Sequence, residues 1–157
     1  MQERDSALQA KCVSALQSKN VATARIYATE CAEIRKIAKI VLQSQLALEQ
    51  VALRLETLKE FGDIVHVMGP VISIVGTVKS QLRAILPEIS AELGQVNESL
   101  EYLVLEIGEA TDQTFDVSAS SEEAQRILQE ASTVAEQKMK ERFPELPSVP
   151  SPEARAG

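Results

Sequence analysis

Apolar residues recur at helical spacing along most of the chain, and they recur longest between residues 21 and 68. Ile34, Ile37, Val41, Leu48, Val51, Leu55, Leu58 and Val65 form a run of a/d heptad positions, interrupted only at Ser44 and Gly62. No proline falls inside this stretch. The pattern predicts one helix over 21–68, roughly 70 Å long at 1.5 Å per residue. A compact chain of this size is about 30 Å across, so such a helix outruns the cover its own chain can give. A second apolar line runs beside the first, through Ile26, Ile40, Leu42, Leu46, Leu53 and Phe61. Two lines call for neighbours on two sides: a broad buried face in an ordinary bundle, or further copies of the chain.

Other elements flank this one. Residues 3–18 carry Leu8, Cys12, Ala15 and Leu16 on one side and read as a short first helix. The polar break Ser18-Lys19-Asn20 follows, with Asn20 placed to cap the long helix, so the two helices should run antiparallel. Gly69-Pro70 is expected to end the long helix, as a fixed corner or a hinge, because proline lacks an amide hydrogen and clashes with the preceding turn. Residues 71–86 read as a third helix and 87–107 as a fourth, opened by Pro87 and closed by Gly108. Residues 110–120 read as a polar linker. Ser120 and Glu123 have the spacing of a capping box for a fifth helix over 121–142. Prolines at 144, 147, 150 and 152 make the tail, 143–157, an extended ribbon in which Leu146 and Val149 are the apolar knobs. The expected class is all-α: a helical core over 1–109, a linker, a fifth helix and a tail.

Composition agrees. Aromatic residues make up 3% of the chain and glycines number 6, which suits helices and not sheets. The net charge of −7 is unevenly spread. Residues 1–83 hold 11 Lys/Arg against 8 Asp/Glu, and residues 84–157 hold 5 against 15. An acidic chain lacks the basic footprint of a general nucleic-acid binder. The N-terminus is polar and charged, with no secretory signal. The longest stretch free of charge, 64–78, is too short and too interrupted to span a bilayer, so membrane contact is expected to be peripheral.

Candidate chemistry is sparse. Cys12 and Cys31 form no CxxC pair and read as small buried side chains. Asp63 and the single histidine, His66, make half of a carboxylate–histidine metal pair, and one histidine cannot supply the second half. There is no phosphate-binding glycine loop and no nucleophile elbow. No catalytic, metal or cofactor site is expected, and the chain does not read as an enzyme.

The order of these elements, with the stretches at 22–58, LPEISAELGQVNESL at 86–100 and SSEEAQRILQEASTVAEQKMKERFPELP at 120–147, resembles the ESCRT-III family. Within it, the residues are most similar to the archaeal cell-division branch, the CdvB proteins. The family's first helix is longer and basic; residues 3–18 correspond to its end only. The resemblance implies a cytoplasmic protein, peripheral at the inner face of the cell membrane, that polymerises with itself and with paralogous subunits to constrict membrane necks. It implies remodelling by an AAA ATPase whose MIT domain grips Pro144, Leu146, Pro147, Val149 and Pro150. The polymer contacts would lie on the long helix, at Ile34, Val41, Leu48 and Leu55 and at Leu42, Leu46 and Leu53, with Gly69 and Pro70 as a hinge. The fifth helix would pack on the hairpin in closed or exchanged states. A different class remains open from the residues alone: a helical adaptor that does not polymerise and whose tail docks on a partner.

Overall fold

A computed structural model describes residues 1–58, 61–111 and 117–149, with side chains throughout except at 61–65, 108–111 and 117–121. The elements are α1 (Gln2–Gln17), α2 (Val21–Glu56), α3 (Phe61–Leu82), α4 (Pro87–Thr111) and α5 (Val117–Arg142). The described residues are all-helical apart from turns and the irregular segment 143–149. They divide into two compact units, one made of Met1–Lys39 with Glu136–Gly157, the other of Ile40–Ala135.

In the first unit α1 and the start of α2 form a hairpin. The turn is built by its residues. Lys19 takes a left-handed conformation, φ 59°. This lets the Asn20 amide reach Ala15 O at 2.8 Å and the Lys19 amide reach Leu16 O at 3.0 Å. That pair of bonds is a Schellman ending, which satisfies the last carbonyls of α1. Asn20 then starts α2: its Oδ1 accepts from the Thr23 amide at 3.2 Å, as the sequence led us to expect.

The second unit is centred on α3. Val71, Ile74, Val75, Val78 and Leu82 are buried along it, joined by Ala47 and Val51 of α2 and by Ala124, Ile127 and Ala131 of α5. Small residues on α2 and α5 let those backbones come close to the branched side chains of α3. Helix α4 packs on α3, with Leu93 and Leu100 against the same core. Ser90, buried at the start of α4, donates its hydroxyl to Lys79 O at 2.9 Å and ties the two helices together. The Lys79 side chain crosses α4 at Gly94, where a Cβ would come within 3.1 Å of its Nζ.

Four boundaries differ from those read in the sequence. The helix expected over 21–68 is two helices, and the break follows Glu56 instead of Met68. At the end of α2 the Thr57 and Leu58 amides bond three residues back, to Arg54 O and Leu55 O. The Thr57 hydroxyl also donates to Arg54 O at 2.7 Å, competing for the carbonyl that would continue the helix. Gly69-Pro70 is therefore no corner: both lie inside α3, and Pro70 is fully buried. Proline deletes one helical hydrogen bond there, and burial of the surrounding apolar face outweighs the loss. The third helix stops at Leu82 instead of 86, just before the Leu86-Pro87 step that disfavours helix at residue 86. Helix α4 passes through Gly108 to Thr111, and α5 begins at Val117, so Ser120 lies within a helix and is not its cap. Glu123 instead pairs with Arg54, Oε1 to Nη1 at 3.0 Å. Of the expected linker 110–120, residues 112–116 lie outside the described residues.

Candidate functional site

Among the described residues, side-chain contacts concentrate where the tail meets the hairpin. Asp5 of α1 is buried and faces Arg35 of α2. The guanidinium binds the carboxylate through two bonds, Nε to Oδ2 at 2.7 Å and Nη2 to Oδ1 at 3.0 Å. The bond to Asp5 raises the Arg35 pKa above its ordinary value, although burial works against it. The other face of the guanidinium lies over the ring of Phe143, Cζ to ring centre 5.4 Å, and Phe143 is itself buried. One arginine thus joins α1, α2 and the residue that follows α5.

Further contacts run on either side of this junction. The Gln2 side chain donates to Arg142 O at 3.4 Å and the Gln9 side chain to Glu145 O at 3.3 Å. Val149 packs against the cluster of Cys12, Ala15 and Ala24. Lys39 and Glu136 pair at 2.9 Å on the surface, and that hydrogen bond lowers the Glu136 pKa. Both cysteines are free and fully buried. Cys12 donates to Ala24 O at 3.4 Å, and Cys31 to Asp5 O at 3.7 Å. Burial, and then the Asp5 charge, push the Cys31 thiol up, away from the reactive thiolate.

The residues singled out for partner binding fall on this segment. Pro144 is exposed, Leu146, Pro147 and Val149 are half-buried, and Pro150 lies outside the described residues. The long-helix candidates scatter. Leu42 is buried, and Leu46, Leu48 and Leu55 pack against the core of the second unit. Ile34 and Val41 are half-buried and Leu53 is exposed. Val41 and Leu48 line an open, apolar groove of about 380 Å³ with Leu82, Leu86 and Ile89. Gly69 is half-buried beside buried Pro70 in α3. Sequence reasoning missed Asp5, Arg35 and Phe143. Asp5 and Arg35 are 30 residues apart and belong to no periodic pattern, and Phe143 stood only as the residue before the first tail proline.

Among the described residues no group of three or more His, Cys, Asp or Glu could hold a metal ion. None of their helices is long and apolar enough to cross a membrane. The Snf7 family model matches residues 1–154. The chain belongs to the Snf7, or ESCRT-III, family. It is 48% identical to cell division protein B1 of Sulfolobus acidocaldarius over 95% of its own length and 70% of that protein's. It is 37% identical to cell division protein B of the same organism, over 96% of this chain and 58% of the relative. Cell division protein B3 is 30% identical over 74% of this chain and 68% of its own. No solved structure matches the chain. The five helices and the absence of strands among the described residues agree with the ESCRT-III helical fold.

Proposed function

We propose that this chain is a filament-forming scaffold of the ESCRT-III type, acting with paralogous subunits on the membrane at archaeal cell division and taken apart by an AAA ATPase. The observation that supports this reading most is the tail. Residues 143–149 lie on the chain's own hairpin through Phe143 and Val149, and Pro144, the first tail proline, stays exposed. A segment held by one buried ring and one half-buried knob is well suited to exchange its own hairpin for a partner's groove. In this reading the MIT domain of the ATPase takes Pro144, Leu146, Pro147, Val149 and Pro150, and the contact with the inner face of the membrane is peripheral. The similarity to cell division proteins of Sulfolobus acidocaldarius supports the assignment to division.

Electron microscopy of the purified protein with and without acidic liposomes tests the scaffold. Polymers that deform the liposomes are expected. A species that stays monomeric at high concentration counts against the scaffold and leaves the adaptor, whose tail alone is functional. For the tail, Leu146→Asp should abolish binding to the cognate MIT domain in calorimetry while leaving helicity intact. Unchanged affinity would reject the assignment of that residue.

A further inference from the structure

Helices α3 and α4 form an acidic pair with its cations in one place. Residues 61–111 hold seven Asp/Glu and two Lys/Arg, and the two are Lys79 and Arg83, one turn apart on α3. Among the described residues neither makes an ion pair. Both line a cavity of about 630 Å³ between α3 and α4 that no acid lines. The walls are fixed. Ser90 donates its hydroxyl to Lys79 O at 2.9 Å, and Ser80 donates to Gly76 O at 3.1 Å. The Lys79 side chain is placed as well. It lies across α4 at Gly94, where a Cβ would stand 3.1 Å from Nζ and 3.2 Å from Cε.

Asn97 of α4 lines the same cavity and supplies a third donor. Its side chain makes no hydrogen bond among the described residues, and its Oδ1 is buried without a partner. Its Nδ2 lies at the Gly76 wall, 3.6 Å from where a Cβ on that glycine would stand. Side-chain amides packed between helices are normally satisfied, so one left over beside two unpaired cations points to a ligand. Because both serine hydroxyls at the cavity already donate to backbone, the donors left for a ligand are Lys79, Arg83 and Asn97. Pro87, the first residue of α4, also lines the cavity, and the positive end of a 25-residue helix favours an anion there.

We infer that this cavity binds a phosphate ester. Arg83 offers a planar pair of donors and Lys79 a point charge, which together match the charge of one phosphate group, and Asn97 adds a neutral donor. The cavity is far larger than a phosphate ion alone, and Gly76, Pro87 and Ala91 in its walls leave room for the carbon that carries the ester. A phospholipid headgroup and a soluble organophosphate present the same chemistry. The headgroup gives the peripheral membrane contact proposed above its residues; the soluble ester needs neither membrane nor polymer.

Glycerol phosphate and inorganic phosphate, each titrated into the full chain at constant ionic strength, test the site by proton–nitrogen correlation spectra. Shifts are expected at the Asn97 side-chain amide and at the backbone amides of Ser80 and Gly94. Lys79→Met and Arg83→Met, both at exposed positions and checked for folding by circular dichroism, should each weaken binding about ten-fold. Arg126→Met removes an exposed cation outside the cavity and should leave binding unchanged. Co-sedimentation with phosphatidylglycerol vesicles separates the two sources. Vesicle binding that Lys79→Met abolishes assigns the headgroup; glycerol phosphate binding without any vesicle binding assigns a soluble ester. An Asn97 amide that shifts with neither phosphate overturns the site, and so does an affinity that falls as far in Arg126→Met as in Lys79→Met. Vesicle binding that survives both cavity variants, with no shift by either phosphate, overturns the site and leaves the membrane contact of the scaffold standing.

Discussion

Arg35 is the residue on which the first unit turns. It closes a two-bond contact with buried Asp5 and stacks on buried Phe143. Removing one partner of such a pair costs more than the pair contributes, because the remaining charge is left buried and unpaired. Arg35→Ala should therefore destabilise the protein by about 3 kcal/mol in chemical denaturation. Arg35→Lys should lose part of this, since an ammonium keeps the charge and cannot form the planar two-bond contact. None of this was legible in the sequence. Heptad and helical periodicities report which face of a helix is apolar, and Asp5, one of two acids in the first turn of α1, looks like any residue favoured by the helix dipole. A pair separated by 30 positions is fixed by how two helices align, and no local pattern records that. The cysteines were legible, because small thiols without metal-ligand spacing have burial as their default.

At the scale of the element, the turn between α1 and α2 was foreseen in place and in its Asn20 cap, and missed in one detail. Lys19 holds a left-handed conformation that costs a residue with a Cβ about 1 kcal/mol or more, and glycine almost nothing. Lys19→Gly should accordingly raise stability by up to about 1 kcal/mol, read as a rise in the denaturation midpoint, with the higher chain entropy of glycine taking back part of the gain. The end of the long helix was misplaced for a different reason. Proline and glycine are the strongest punctuation in a sequence, and Gly69-Pro70 looked like a stop. The chain breaks instead after Glu56, where the signal is a single threonine hydroxyl bonding back to Arg54 O. Apolar packing of Val71, Ile74, Val75 and Val78 holds α3 together across Pro70. Local propensity lost to burial, as it commonly does for a helix at the centre of a core.

For the molecule as a whole, the earlier break changes where partners are needed. A helix over 21–68 would have had two apolar lines and too little chain to cover them. With α3 as a separate element, the second half of α2 finds its cover within its own unit: Ala47 and Val51 join α3 and α5 in one core. Ile74, fully buried there, is the natural probe of that core. Ile74→Ala should cost about 3 kcal/mol or more, seen in thermal or chemical unfolding of the intact chain, because the branched helix around it cannot collapse into the space. Apolar surface stays open on α4, in the groove beside it and at Ile26 and Leu53 of α2. Fold class and helix number were therefore readable from periodicity and composition. The assignment of each apolar line to core or surface was not, because both kinds of line have the same spacing and differ only in what packs on them.

The two buried thiols give the chain a built-in clock. Cys12 lies under Val149, with its sulfur bonded to Ala24 O, and Cys31 lies against the backbone of Asp5. A colourless disulfide reagent reaches neither while the tail and the hairpin stay together. At reagent concentrations high enough that the rate no longer rises, the rate of reaction in native buffer is the rate at which that small assembly opens. Arg35→Ala should quicken the reaction at both sulfurs. Truncation before Phe143 should quicken it more at Cys12 than at Cys31, since it removes Val149 and leaves Asp5 in place. Mass spectrometry of the two cysteine peptides, each shifted by the mixed disulfide it acquires, separates the two rates.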